Sequence, residues 1–377
     1  MKSAIGWVGV GLLVVAVAAS GQQGTSASAS FESVSGRAAA ALKANHVEEG
    51  IKLYRQAVGI RPSWAEGWGY LAAALYSVGR YPEARDAYRH TTLLTPKNGP
   101  SWGYLGLCEY EMRDYPRAFD HLAKAEQLGL GSDRDLTANV KYHLALLWDT
   151  AGQFDRGLLE MQWFAEQNLG SQDIFQAFGL SVLRRPWFPS EVPADKLPMV
   201  LTAGQASFAE SIHKPEEARK LYEALVSQYG KEPDVHYAFG RFLSNLDLDA
   251  ALKEYDTELE ITPSNVPARI EAALLCLKAG QLEKGLAYAR DAAKNEPRSP
   301  VAHNLTGRLL MELNRTAEAV PELALATQLS PKNSSFHLNL ARAYQKAGDK
   351  TLAAKEMAAF NELESKRTQP GNQTPLP

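Results

Sequence analysis

Between residues 65 and 98, apolar side chains recur at steps of three and four. Trp68, Leu71, Ala72 and Leu75 form one stripe, and Ala84, Ala87, Tyr88 and Thr91 form a second. Stripes of that spacing line one face of a helix. Gly79 between them is a helix stop. Pro82 stands where the second helix opens, a place where a missing N–H removes no bond. Thr95-Pro96 closes the unit, because the residue before a proline is pushed out of helical backbone. The pattern predicts two short paired helices. Ala72 and Ala84 are small enough at the contact to let them approach to the near end of the usual range, about 8 Å.

The pattern repeats. Prolines 62 and 96, and again 263, 297 and 331, stand 34 residues apart. Gly67-Trp68-Gly69-Tyr70-Leu71 returns as Ser101-Trp102-Gly103-Tyr104-Leu105, Tyr76 as Tyr110, His303 as His337 and Arg308 as Arg342. A fixed period of this length marks an array of helix-turn-helix units. Trp68, Leu71, Ala72, Gly79, Ala84, Tyr88 and Pro96 resemble the tetratricopeptide repeat (TPR). The resemblance returns in Trp102, Leu105, Gly106, Ala118, Leu122 and Ala125, and in Ala273, Gly280, Gly285, Ala292 and Pro297. It returns again in Gly307, Ala319, Ala326 and Pro331, and in Leu340, Ala341, Tyr344, Gly348 and Ala353. It implies an all-α, right-handed superhelical solenoid of helix-turn-helix repeats whose first helices line a concave face.

Units are expected at 31–64, 65–98, 99–132, 138–171, 199–232, 233–265, 266–299, 300–333 and 334–367. Unit 138–171 lacks the closing proline, 199–232 carries His213 in place of glycine, and 233–265 is one residue short in its turn. Residues 172–198 do not fit the period. A helical stripe there (Ile174, Phe175, Phe178, Leu180, Val182, Leu183) runs into Arg184-Arg185-Pro186-Trp187-Phe188-Pro189. This divergent inserted segment is expected to divide an N-terminal array, 31–171, from a C-terminal array, 199–367. The Trp187-Phe188 pair either docks against the array or stands out as a partner-binding knob; an exposed aromatic pair without a partner is unfavourable. The tail 368–377, rich in Pro, Gln, Asn and Thr, is expected to be disordered.

At the N-terminus, Lys2 precedes an uncharged apolar run from Ile5 to Ala19 and a small polar stretch that reaches Ser30. That is the order of a secretory signal. Cleavage is expected after Ser20 or Ala29, giving an exported, periplasmic or secreted protein with no integral membrane span. The alternative is an uncleaved signal anchor, although the run is short of the roughly 20 residues that span a bilayer.

Composition then narrows the chemistry. Forty basic against forty-three acidic residues leave no basic field for nucleic acid. Two cysteines, Cys108 and Cys276, exclude a disulfide framework and read as buried small side chains. No phosphate loop, nucleophile elbow or zinc helix occurs. His236, His303 and His337 fall where other units have Trp, on separate first helices, and read as structural substitutes. No enzyme, metal or cofactor is expected.

Function is therefore expected on the first-helix face, as binding of a protein or peptide. Two sets of side chains are candidates. In the C-terminal half, Arg241, Asn245, Asn304, Arg308, Asn339, Arg342 and Lys346 offer amides for an extended backbone and guanidinium forks for a carboxylate. In the N-terminal half, Tyr70, Tyr76, Tyr104, Tyr110, Tyr142 and His143 offer an aromatic stripe. The stripe either contacts a ligand, a glycan or small molecule among them, or packs between neighbouring helices.

Overall fold

The computed structural model describes residues 26–368, which form nineteen α-helices and one short 3-10 turn. The expected leader lies outside the described residues, except that residues 26–30 open α1; the expected tail lies outside them beyond Thr368. The chain divides into two compact units, Met1–Lys214 and Pro215–Pro377.

In the first unit the helices are α1 (Ser26–Lys43), α2 (Val47–Ile60), α3 (Ala65–Ser77), α4 (Tyr81–Leu94), α5 (Gly99–Glu111) and α6 (Tyr115–Leu128). They continue with α7 (Arg134–Thr150), α8 (Phe154–Glu166), α9 (Gln172–Val182) and α10 (Leu197–Ser211). Consecutive helices pack as pairs, α1/α2 through α9/α10. The second unit opens with α11 (Pro215–Tyr229) against α12 (Val235–Leu243). Its pairs are α12 with α13 (Leu248–Ile261), α14 (Val266–Lys278) with α15 (Leu282–Asn295), α16 (Pro300–Glu312) with α17 (Thr316–Leu329), and α18 (Ser334–Ala347) with α19 (Lys350–Thr368). First helices also touch one another, α5 with α7, α7 with α9, α14 with α16 and α16 with α18, so one face of each stack is a wall of first helices.

Local chemistry explains the starts and stops. Asn98, Asp133, Ser171, Asn265, Ser299 and Asn333 each cap a first helix, the side-chain oxygen accepting an otherwise orphaned N–H. The turn into the second helix uses one left-handed residue, and that slot keeps the period: Asn45, Gly79 and Arg113, then Gly280, Asn314 and Gly348. The contact alanines behave as their size predicts, Ala72, Ala84 and Ala273 being fully buried.

Residues 172–198, expected to interrupt the array, supply α9 and its link to α10. Glycines let these two helices touch backbone to backbone. A Cβ on Gly204 would lie 1.6 Å from the Phe175 carbonyl oxygen, and one on Gly179 would lie 1.9 Å from that of Val200. The break between the compact units then falls at Lys214/Pro215, inside the expected unit 199–232.

Two features tie helix pairs to their neighbours. Trp68 donates its indole N–H to the Pro62 carbonyl and Trp102 to that of Pro96, each at 2.9 Å. The histidines that replace Trp keep this latch: His303 Nε2 meets the Pro297 carbonyl and His337 Nε2 that of Pro331, both at 3.0 Å. Their Nδ1 atoms face carboxylates on the second helix, Glu322 at 2.6 Å and Glu356 at 2.7 Å. His236 faces Glu254 at 2.5 Å and the Gly230 carbonyl. In the first unit, Asp149 at the end of α7 is fully buried, 2.7 Å from the Ser181 hydroxyl on α9. Burial pushes its carboxyl up to about 8, against the opposing pull of Ser181 and Arg184.

Candidate functional site

In the second unit the period places Arg308 and Arg342 each at the ninth residue of its helix, α16 and α18, and both are exposed. Another side of α16 is pressed onto α17, where a Cβ on Gly307 would lie 2.4 Å from Leu323 Cγ. That packing and the His303 and His337 latches fix which way α16 and α18 face. Neither guanidinium has an ion pair or hydrogen bond among the described residues, in contrast to Arg290 and Arg315, which bond Glu318.

The asparagines do something other than expected. Asn304 is 8% exposed, and its Oδ1 accepts a 2.9 Å bond from Asn339 Nδ2. The two amides tie α16 to α18 and do not stand free as a pair of backbone clamps. The physical reason is that neighbouring first helices touch, so amides on their facing sides, here 35 residues apart, reach one another first. Lys346 likewise donates to the Met311 carbonyl at 3.1 Å and to Asn314 Oδ1 at 2.7 Å. Arg241 is half-buried on α12, near Tyr255, and Asn245 is exposed just beyond that helix.

In the first unit the tyrosines contact each other. Tyr70 lies 5.5 Å from Tyr54, and Tyr104 stacks on Tyr88 at 5.4 Å with the rings 6° apart. Tyr104 also meets Tyr76 at 5.7 Å. Burial, with Asp133 nearby, pushes the Tyr104 hydroxyl up to about 12. Tyr142 is buried, not exposed as its position predicts, and lies 5.3 Å from His143. Of the stripe, Tyr110 is the residue that borders a different kind of surface. Its ring meets His143 at 4.2 Å, Tyr115 at 5.3 Å and Phe188 at 6.1 Å. Burial lowers His143 to about 4, so the ring is neutral near pH 7, and its Nδ1 bonds the Asn139 carbonyl at 2.7 Å.

Of the two positions open to the Trp187-Phe188 pair, Phe188 takes docking: its ring lies 4.6 Å from Tyr115. The histidine–glutamate pairs were missed by the sequence reading. Their signal is a glutamate 18 or 19 residues after each histidine, Glu254, Glu322 and Glu356. Cys108 and Cys276 are both buried free thiols, each pushed up mainly by burial. Among the described residues, no three His, Cys, Asp or Glu side chains group as a metal site, and no helix is long and apolar enough to cross a membrane.

A tetratricopeptide-repeat family model matches residues 36–98 and 270–334. No curated protein matches the chain. Among solved structures, a fragment described as MamA 41-end from Desulfovibrio magneticus RS-1 is 21% identical, with a TM-score of 0.43; the match covers 45% of this chain and 97% of that one. A MamA RS-1 double mutant is similar at 21% identity and a TM-score of 0.43, covering 46% and 97%. A chain of the APC/C hetero-tetramer Cut9-Hcn1 is 11% identical, with a TM-score of 0.39, covering 89% of this chain and 87% of that one.

Proposed function

Because the chain is a tetratricopeptide-repeat protein, we propose that it is a non-catalytic scaffold that binds a protein or peptide segment along its wall of first helices. One observation carries the reading: Arg308 and Arg342 stand exposed and unpaired at the same position of two first helices in contact. Two unpaired guanidiniums repeated along one face suit an extended segment bearing carboxylates, each fork contributing about 1.5–3 kcal/mol when engaged. The self-packed rings of Tyr70, Tyr104 and Tyr142 leave the alternative, a glycan or small-molecule stripe, with less free surface.

The test is selection of peptides from a displayed library on the full chain. Acidic sequences should be enriched. Arg308→Ala with Arg342→Ala should weaken the best of them at least tenfold, about 1.4 kcal/mol, and flatten its salt dependence. Unchanged affinity removes the reading, and loss that follows Tyr104→Ala and Tyr110→Ala instead moves the site to the tyrosines. The proposal includes the exported location expected from residues 1–30. A native N-terminus at or after Gly21 supports export; an intact Met1 on a cytosolic protein removes it.

A further inference from the structure

The link between α9 and α10 is a strap folded back over the wall of first helices. Arg184, in left-handed backbone at φ 55°, turns the chain out of α9. Phe188 is extended, at φ −75° and ψ 153°, and Pro189–Glu191 make one 3-10 turn. Polar contacts shape this piece. The Phe188 N–H donates to Glu191 Oε2 at 2.8 Å, and Gln176 on α9 donates its amide to the Pro189 carbonyl at 2.9 Å. The Phe188 ring sits against Tyr115 and Tyr110, the first residue of α6 and a last-turn residue of α5, and Tyr110 in turn meets His143 of α7. A segment that leaves the fifth helix pair thus places an aromatic ring on the third, across the fourth.

This is the way a bound peptide would lie. The strap adds no helix to the stack. Pro186 and Pro189 have no N–H to offer and hold the backbone extended at little entropic cost. Its ring and its Pro189 carbonyl are both features that another chain can present. We propose that Tyr110, Tyr115, His143 and Gln176 form a binding site for an extended peptide in which an aromatic residue precedes a proline, and that residues 184–191 occupy it as a displaceable internal ligand. The aromatic ring packs against Tyr115 and Tyr110, and the next carbonyl accepts from Gln176. This rests on the protein-binding reading above but concerns the first unit and a different ligand chemistry.

The probe is a fluorescein-labelled peptide with the sequence of residues 184–191, Arg-Arg-Pro-Trp-Phe-Pro-Ser-Glu, titrated into the full chain by fluorescence anisotropy. Phe188→Ala should empty the seat and bind the peptide at least tenfold more tightly than the unaltered protein does. Tyr115→Ala in that background should return binding to the unaltered level, and a peptide with alanine for its phenylalanine should not bind. Equal binding by the unaltered and Phe188→Ala proteins, or equal binding of the two peptides, overturns the proposal. If Phe188→Ala loses helical signal at 25 °C, Glu191→Ala removes the acceptor of the Phe188 N–H and loosens the strap while leaving Tyr110, Tyr115, His143 and Gln176 intact. At least a threefold gain in peptide affinity is then expected, and no gain overturns it. Failure here with the Arg308/Arg342 result intact removes only the strap site; the reverse outcome removes only the arginine face.

Discussion

His303 and Glu322 face each other across one helix pair, Nδ1 to Oε2 at 2.6 Å, while the other ring nitrogen holds the carbonyl of Pro297. Each ring nitrogen thus faces one oxygen, the carboxylate on the second helix and the carbonyl of the preceding turn. The same pairing recurs at His337–Glu356 and His236–Glu254. Replacing His303 or His337 with Phe should keep bulk but remove both bonds, destabilising the second unit by about 1–3 kcal/mol in urea denaturation. His303→Trp keeps the carbonyl latch and should lose less.

His236 supplies the pH signature. Its hydrogen bond to Glu254 raises it above the ordinary 6.5, against desolvation. A raised folded value means that the stabilisation is complete below pH 6.5 and fades as pH rises through the folded value. Denaturation midpoints should therefore fall on going from pH 6 to pH 9, and His236→Phe should flatten part of that slope. A slope unchanged by the substitution would show that the pair does not titrate in this range.

Asp149 gives a second pH dependence, in the first unit. Its carboxyl is pushed from 3.8 up to about 8 by burial, so it is mostly neutral near pH 7. Stability from this group is complete below about pH 4 and is lost as pH rises through about 8. Asp149→Asn keeps an acceptor for the Ser181 hydroxyl and cannot ionise. It should be more stable than the unaltered protein at pH 8.5, by more than about 1 kcal/mol, and closer to it at pH 5.

The glycine contact between α9 and α10 makes a direct steric prediction. Gly204→Ala or Gly179→Ala places a methyl group on a carbonyl oxygen and should cost about 2–4 kcal/mol by thermal or urea unfolding. Gly59→Ala, which meets nothing within 4 Å, should be neutral or slightly stabilising because the site is helical.

Ala72 and Ala273 test the repeat register itself. Both are fully buried, and Ala→Leu at either should overpack the helix contact and cost about 1–3 kcal/mol. Unchanged melting at both would mean that the stripes are misplaced.

What could be read from the chain was whatever repeats. Trp68 and Trp102, His303 and His337, and Arg308 and Arg342 recur at one spacing because each repeat meets its neighbour in the same way. Features that happen once carry no such signal. The α9/α10 contact uses Gly179 and Gly204, which share no period with the contact alanines, and a long link separates them where Ala72 and Ala84 are joined by a short turn. The seat of Phe188 on Tyr115 joins residues with no shared period. Asn304 was legible as a first-helix position but not as buried, since its cover is Asn339 on the next helix. The residues most useful for a binding hypothesis, Arg308 and Arg342, were visible because they are periodic; the most specific pocket was not, because a loop makes it.

The latch from Trp68, Trp102, His303 and His337 to a carbonyl six residues upstream also sets where the chain can be divided. The sequence unit that holds His303 begins at Pro300, but its hydrogen-bonded unit begins at Pro297, in the preceding turn. A fragment or repeat exchange joined at residue 300 would separate the imidazole from its own acceptor, while a join placed before Pro297 would carry the bond along. Seams for recombining these repeats therefore lie upstream of the closing prolines, out of step with the helical boundaries.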